Sequence, residues 1–307
     1  EAAAKMSVGE ALTNMLGGYV EDMSHISLSA NWMSAASHPG EYAKLYQAVE
    51  AIGEDLCPKL GLTIPVGKDS MSMKSTWNEN GEQKSITAPL SLIISAFSKT
   101  PNVRHQKSAL LKNDSGSVLY LLDLGLGKNR LGGSALAQVF NQIGDETPNL
   151  DDADYFKRFF DVVNFLNKED LISAYHDRSD GGVMTTLMEM SFASHLGLDI
   201  YVEEDILGHL FNEELGCVIQ VESRNQSKVK EIISENNLDE CFKEVARINN
   251  KDEIRVFQGC TEIFTESRST LQKLWSKTSY EVAKLRDNPE CVNEEFESIS
   301  QRSEERV

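Results

Sequence analysis

"AYHDRSDGGVMTTLMEM", residues 174–190, places five polar side chains directly before a double glycine. The preceding "DLISAY" is typical of a short strand, and the apolar residues that follow the glycines recur at helical spacing. The polar cluster is therefore predicted to lie at a strand-to-helix turn, where backbone N–H groups are free and the helix dipole favours anions. An ordinary helix N-cap needs only one polar side chain that accepts a hydrogen bond. Two carboxylates, a hydroxyl, an imidazole and a guanidinium together favour a functional turn.

The bulk composition indicates a globular protein. A length of 307 residues suggests about two domains, and 40% hydrophobic with 25% charged residues is ordinary for such chains. No apolar run approaches the roughly 18 residues of a membrane span, and the N-terminus lacks a signal-peptide pattern. We therefore expect no membrane association.

The net charge and the cysteine content argue against several further classes of function. A net charge of −18 disfavours nucleic acid as a partner, and an anionic small molecule would need a metal ion or local lysines and arginines. The five cysteines are scattered, without CxxC or Cys/His pairing. This argues against a disulfide framework, a zinc site and a thiol nucleophile, and it favours a reducing, cytoplasmic location.

The pattern of elements divides the chain into three parts. Residues 1–112 are predicted to form a strand-rich first domain with two helices and a polar linker, in which "LTIPVGKDSMSMKSTW" gives a strand, a glycine turn and another strand. Asn80-Gly81 predicts a tight hairpin turn. Residues 113–272 alternate strands and helices, as expected of a second domain. Residues 273–307 are helical and increasingly acidic, and the polar end of this segment is typical of a linker.

Three further motifs suggest ligand binding. Glu10 and Asn14 are four apart on a helix and leave the same face, which suits a hard cation such as Mg²⁺ if another carboxylate lies opposite; the alternative is a solvated helix face. The predicted glycine turn at Gly67 carries Lys68, Asp69 and Ser70, which could contact phosphate or belong to an ordinary hairpin. A candidate anion-binding turn is formed by Gly132, Gly133 and Ser134. Many such turns bind no ligand, and neither glycine turn matches the dinucleotide fingerprint.

Several stretches together resemble one enzyme family. They are, in chain order, "LSANWMSAASHPGE", "GEDLCPKLGLTIPVGKDSMSMK", "AYHDRSDGG", "LFNEELGCVIQV" and "LRDNPEC". The chain resembles the large single-chain phosphoribosylformylglycinamidine synthases, also called formylglycinamide ribonucleotide amidotransferases. The likeness extends from about Met6 to Cys291, and it corresponds to the second of the family's two synthetase halves.

The resemblance implies an α+β fold like that of aminoimidazole ribonucleotide synthetase, with an open-sheet α+β domain followed by an α/β domain. The family's halves pack through their first domains, so residues 26–34 and 63–97 should expose a sheet surface. Partners would be the first synthetase half and the glutaminase domain, toward which residues 273–307 lead. A homodimer of this chain is also possible.

The resemblance also implies site residues. Glu10, Asn14 and Asp177 match Mg²⁺ ligands, and Ser179 matches a nucleotide contact. Lys68, Asp69 and Ser70 are expected to face the same cleft.

The implied activity is that of an ATP-dependent carbon–nitrogen ligase in purine biosynthesis. It converts formylglycinamide ribonucleotide and glutamine-derived ammonia to formylglycinamidine ribonucleotide, with Mg²⁺ and ATP or ADP as cofactors. The family's catalytic histidine, glycine-rich nucleotide loop and glutaminase residues have no counterpart here, so we expect no catalytic residue in this chain. Two alternatives remain: a half without activity of its own that binds nucleotide or is purely structural, and a stand-alone enzyme of the aminoimidazole ribonucleotide synthetase type.

Overall fold

Two β-sheets and the helices packed on them make up the architecture. The computed structural model describes residues 1–301. The α-helices within this range are α1 (Ala2–Met15), α2 (Glu41–Glu50), α3 (Cys57–Leu60), α4 (Ala135–Val139), α5 (Ala153–Lys168), α6 (Gly182–Ser194), α7 (Ile206–Phe211), α8 (Gln226–Glu235), α9 (Arg268–Arg286) and α10 (Pro289–Gln301). The strands are β1 (Ser27–Met33), β2 (Thr63–Ser70), β3 (Lys74–Glu79), β4 (Glu82–Thr87), β5 (Ser91–Phe97), β6 (Val118–Asp123), β7 (Ala174–Asp177), β8 (Gly197–Val202), β9 (Gly216–Val221), β10 (Phe242–Asn249), β11 (Glu253–Gln258) and β12 (Thr261–Ser267).

The first sheet has the strand order β2-β1-β5, with β1 parallel to β2 and antiparallel to β5. Beside it, β3 and β4 form an antiparallel hairpin. Asn80 and Gly81 connect these two strands with φ angles of 54° and 85°. Positive φ at both positions matches the twist of a hairpin, so the predicted Asn80-Gly81 turn is confirmed.

The prediction of a glycine turn at Gly67 is wrong. Gly67 lies inside β2 and pairs with Ala30 of β1. A Cβ at Gly67 would lie 3.1 Å from the Ala30 carbonyl oxygen, so the glycine allows a close approach of two strands instead of a reversal. Lys68, Asp69 and Ser70 therefore lie on a strand, and the chain leaves the sheet only after them.

The second sheet, in the described part of the chain, has seven strands in the order β12-β11-β8-β10-β6-β9-β7. Its interior strand β6, between β10 and β9, is buried along its whole length. Val118, Tyr120 and Leu122 belong to one hydrophobic cluster, and Leu119 and Leu121 belong to another. Because side chains alternate across a strand, each face of this sheet has its own core.

Helix α1 joins the two sheets. Leu12 of α1 and Leu16, which directly follows this helix, share a hydrophobic cluster with Phe159 of α5. The Tyr175 hydroxyl on β7 donates to the Thr13 carbonyl oxygen at 2.5 Å. Helix α1 also packs against β5 of the first sheet. The side chains of α1 are thus held at a fixed position relative to the end of β7.

The final described segment is a helical hairpin. The predicted acidic helix continues through α10. The interpretation of the polar end at residues 290–307 as a linker stays a prediction, and residues 302–307 lie outside the described residues. Tyr280 of α9 stacks on Phe296 of α10 with ring centroids 4.1 Å apart, and Val292 is buried between the helices. None of the helices described within residues 1–301 has the length and apolar content needed to cross a membrane.

Candidate functional site

The turn between β7 and α6 needs both of its glycines. Asp177 ends β7, and Gly181 and Gly182 have φ angles of 84° and 70°. A Cβ at Gly182 would lie 2.6 Å from the Leu210 carbonyl oxygen. Positive φ and this close approach exclude larger residues. The predicted strand-to-helix turn is confirmed.

Arg178 fixes this turn from inside the protein. It is 1% exposed, and its Nη2 donates to Asp123 Oδ1 at 2.6 Å and to the Leu215 carbonyl oxygen at 3.0 Å. Its Nε donates to the Glu214 carbonyl oxygen at 2.6 Å. Burial alone would raise the pKa of Asp123, but the Arg178 guanidinium holds this pKa below its usual value. Arg178 therefore has a structural role, as a buried charge paired with a carboxylate.

Asp177 is held as a carboxylate beside α1. Burial would raise its pKa, but the hydrogen bond and charge of His176, together with the Asn14 side chain, keep the pKa of Asp177 below its usual value. His176 lies 3.3 Å from Asp177 and 2.9 Å from Glu189. Burial lowers the pKa of His176, but these two carboxylates raise it to about 9. At neutral pH the imidazole is thus a cation between two anions.

Glu10 lies in a cluster of negative charge. Burial raises the pKa of Glu10, and the charges of Asp180, Asp177 and Glu213 raise it further. A carboxylate whose pKa is raised by neighbouring carboxylates is stabilised by a bound cation. Oxygen ligands such as these, together with the Asn14 carboxamide, suit Mg²⁺.

A cavity of about 540 Å³ lies next to this cluster. Asn14 and Asp177 line it, and so do Lys99 and Lys107. The Lys107 ammonium is also paired with Asp170 at 2.6 Å. The two lysines place positive charge beside the carboxylates, so an anion bridged by a cation could fit here. Sequence reasoning did not find either lysine, because they lie at or within the polar segment interpreted as a linker.

The donor set fits a cation that also has ligands outside the protein. Within residues 1–301, no group of three or more His, Cys, Asp and Glu side chains could hold a metal ion. Mg²⁺ commonly uses one or two carboxylates and fills its octahedral shell with phosphate oxygens and water. These three residues, Glu10, Asn14 and Asp177, therefore suit a Mg²⁺ ion that is also bound to phosphate better than they suit a Mg²⁺ ion with no other ligand.

The remaining predicted ligand residues lie elsewhere or have partners. The N–H groups of Gly132 and Gly133 donate at 2.6 Å to the carbonyl oxygens of Glu146 and Ile143. The Ser134 hydroxyl caps α4 by accepting from the Ala137 N–H. In this arrangement the backbone donors of the two glycines are already used within the chain. Their role in ligand binding stays a prediction.

The other predicted nucleotide contacts lie in the turn after β7 and on β2. Ser179 is half-buried in the turn, and its carbonyl oxygen accepts from the Gly182 N–H. Lys68, Asp69 and Ser70 lie on β2, two strands from β5, against which α1 packs. Two strand spacings are about 10 Å. Lys68, Asp69 and Ser70 are thus set apart from β5, and their expected position in the same cleft as Asp177 stays a prediction.

Comparisons with known proteins give the fold. Residues 1–99 match the model of the FGAR-AT PurM_N-like domain, and residues 114–259 match that of the AIR synthase related protein, C-terminal domain. The chain has the two-domain, AIR synthase-like fold. The predicted α+β class is thereby confirmed, whereas the domain limits at residues 112 and 272 stay predictions.

Solved structures agree with this fold at low sequence identity. T. maritima PurL complexed with ATP is 14% identical with a TM-score of 0.58, over 87% of this chain and 40% of that chain. T. maritima PurL complexed with FGAR is 13% identical with a TM-score of 0.59, over 87% and 42%. E. coli HypE, a hydrogenase maturation protein, is 16% identical with a TM-score of 0.55, over 84% and 78%. The chain thus spans less than half the length of the PurL chains that it matches.

Proposed function

We propose that this chain acts as the second synthetase half of a formylglycinamide ribonucleotide amidotransferase and holds a magnesium–nucleotide complex. The observation that carries the proposal is the cluster of Glu10, Asn14 and Asp177, in which neighbouring carboxylates raise the pKa of Glu10 and the Asn14 side chain contacts Asp177. The match of residues 1–99 to an FGAR-AT domain supports this assignment, and so does the likeness to PurL structures that contain ATP and FGAR.

In this proposal each residue of the cluster has a separate task. Glu10 and Asn14 present oxygen ligands from α1, and Asp177 presents a third from the end of β7. His176 keeps Asp177 ionised, so that the carboxylate can bind a cation at neutral pH. When bound, Mg²⁺ neutralises phosphate charge. Ser179, Lys68, Asp69, Ser70 and the turn at residues 132–134 are proposed as nucleotide contacts.

The complete reaction would be the ATP-dependent amination of formylglycinamide ribonucleotide in purine biosynthesis. We propose that the catalytic histidine comes from the first synthetase half and that ammonia comes from a glutaminase domain. The scattered cysteines support a reducing cytoplasm as its location.

Binding of ADP measured by calorimetry tests the magnesium site. We expect the wild-type chain to bind ADP with Mg²⁺ and to lose most of this affinity with EDTA. Asp177→Asn should weaken binding about tenfold or more, because it removes a charged ligand. Glu204→Gln removes one charge from an exposed residue outside the cluster and should bind like the wild type. Binding that survives both EDTA and Asp177→Asn contradicts the proposal.

A second candidate is a stand-alone ATP-dependent enzyme of the same fold. It is supported by the likeness to E. coli HypE, which extends over 78% of that chain. ATP hydrolysis by this chain alone, stimulated by a small-molecule acceptor, would favour it. Nucleotide binding without turnover, even when a first half is supplied, would favour a non-catalytic half.

A further inference from the structure

We infer that Glu213 is a positioning residue that holds two turns together. It thereby sets the shape of the acidic cleft, by which we mean the cleft that contains Glu10, Asn14 and Asp177. A single oxygen, Glu213 Oε1, accepts from the Gly181 N–H and from the Ala135 N–H, both at 2.8 Å. Gly181 belongs to the turn after Asp177, and Ala135 follows Ser134 in the second glycine turn. One carboxylate thus joins the two turns in which the sequence analysis expected ligands.

The backbone that carries Glu213 is held in place by the two residues that follow it. The side chain of Glu214 is 1% exposed and binds Arg130 through both oxygens, at 2.6 Å and 2.8 Å. Arg178 donates to the carbonyl oxygens of Glu214 and Leu215. The Glu213 side chain therefore has little freedom to move, and its hydrogen bonds can fix the positions of the two turns that they reach.

The hydrogen bond from Gly181 also means that this backbone N–H is not free to bind an external anion. Gly181 precedes the first residue of α6, where the helix dipole favours negative charge. The Glu213 carboxylate already supplies that charge. An external phosphate is therefore directed away from the Gly181 N–H and toward the cation ligands Glu10, Asn14 and Asp177.

Glu213 also influences the cleft through its charge. It is one of three carboxylates whose charge raises the pKa of Glu10, in addition to the effect of burial. Position and charge can be separated by substitution. Glu213→Gln retains an oxygen that can accept both N–H groups, whereas Glu213→Ala removes the acceptor.

Amide hydrogen exchange tests the positioning role without any ligand. We expect Glu213→Ala to lose protection at Ala135 and Gly181 together, because one oxygen holds both. Glu213→Gln should retain protection at both amides. Glu204→Ala, at an exposed glutamate, should leave both unchanged. Protection that persists at either amide in Glu213→Ala overturns the inference, and so does loss at both in Glu213→Gln.

ADP binding in the presence of Mg²⁺ connects this role to the proposed function, on which the ligand measurement rests. If Glu213 acts by position, Glu213→Ala weakens binding about tenfold and Glu213→Gln restores it to within about threefold of wild type. Equal weakening in both variants assigns the effect to charge and overturns the positioning role. If the wild type binds no ADP, the proposed function fails, and the exchange measurement alone decides the inference.

Discussion

At the scale of single residues, neighbouring polar side chains in the turn after β7 have opposite tasks. Asp177 faces α1 and the cavity, whereas the adjacent Arg178 is 1% exposed and paired with Asp123. Both residues are buried, at 8% and 1% exposed, so the direction of the side chain separates these roles: Arg178 is directed at Asp123, at the end of β6. Asp177 is a candidate ligand, and Arg178 stabilises the fold.

Removal of Arg178 should destabilise the protein strongly. Arg178→Met leaves Asp123 as an unpaired buried charge, which typically costs about 3–5 kcal/mol. We expect a large shift in the urea midpoint of unfolding. Arg286→Met is a suitable control, because Arg286 pairs with Asp287 at the surface. If both variants unfold at the same urea concentration, Arg178 does not have the role that its contacts indicate.

His209 should make stability dependent on pH. It is 8% exposed, and burial is the main cause that lowers its pKa. Within residues 1–301 its Nε2 has no hydrogen-bond partner. The unfolded chain therefore binds a proton more readily than the folded protein does.

Because the folded pKa of His209 is depressed, its contribution to stability is present above the unfolded value of about 6.5 and is lost as pH falls below it. His209→Gln cannot titrate, so its free energy of unfolding should change less than that of the wild type between pH 7 and pH 5. Chemical denaturation at both pH values measures the difference. Parallel pH profiles for the two proteins would contradict the assignment.

Part of the candidate site is predictable from residue types and spacing. Glu10 and Asn14 are found by their separation on a helix, and the turn of Asp177 by its unusual density of polar groups. Glu213 could not be found in this way, because its partners lie 32 and 78 residues away in sequence. Lys99 and Lys107 carry no local signal either. A polar segment is typical of a linker whether or not it borders a cavity.

At the scale of elements, α1 is the part that brings the proposed metal ligands Glu10 and Asn14 to the turn after β7. It packs on β5, and the Tyr175 hydroxyl joins it to β7. Long periodic segments such as α5 and α6 were predictable, because their apolar spacing reports a buried face. The path of β2 through Gly67 was not predictable. A glycine inside a strand and a glycine in a turn cannot be distinguished in sequence until the neighbouring strand is known.

Loss of the Tyr175 hydroxyl should loosen α1 and weaken ligand binding. Tyr175→Phe keeps the buried ring but removes one hydrogen bond, which is worth about 1 kcal/mol. We expect a modest loss of stability together with weaker binding of ADP and Mg²⁺, because Glu10 and Asn14 are then less well placed. Tyr201→Phe on β8 should leave binding unchanged. A stability loss without any effect on binding would show that α1 does not depend on this contact for its position.

At the scale of the whole molecule, one surface of the first sheet has no second layer within residues 1–301. The side chains of Val66, Ile93 and Phe97 are 63%, 53% and 61% exposed on β2 and β5. Their neighbours along β5, such as Ile94, point to the other face and pack against the core. Sheets normally bury apolar faces against another layer, and exposed apolar patches often mark interaction sites.

We expect this outer face of β2 and β5 to mediate association, either with a first synthetase half or with a second copy of the chain. Light scattering should show concentration-dependent dimers of the isolated chain. The double variant Ile93→Glu and Phe97→Glu should shift it toward monomer. Leu285→Glu, at a residue of α9 that is 91% exposed, serves as the matched control. A wild-type chain that stays monomeric at high concentration and does not bind a first half would contradict this prediction.

In the proposed function, activity is also a property of the whole assembly. The described chain has a candidate metal site but, as the resemblance implies, neither the catalytic histidine nor the glycine-rich nucleotide loop. Positioning and charge stabilisation act as a unit in an active site. An incomplete set of active-site residues therefore gives only a small part of the full catalytic rate. We therefore expect no measurable phosphate release from ATP, Mg²⁺, ammonium and formylglycinamide ribonucleotide with this chain alone. A first half added in trans should produce ammonia-dependent turnover, Asp177→Asn should abolish most of it, and Glu204→Gln should not. Robust turnover by the 307-residue chain alone would mean that the catalytic residues lie within it and that the division of roles between the halves is wrong.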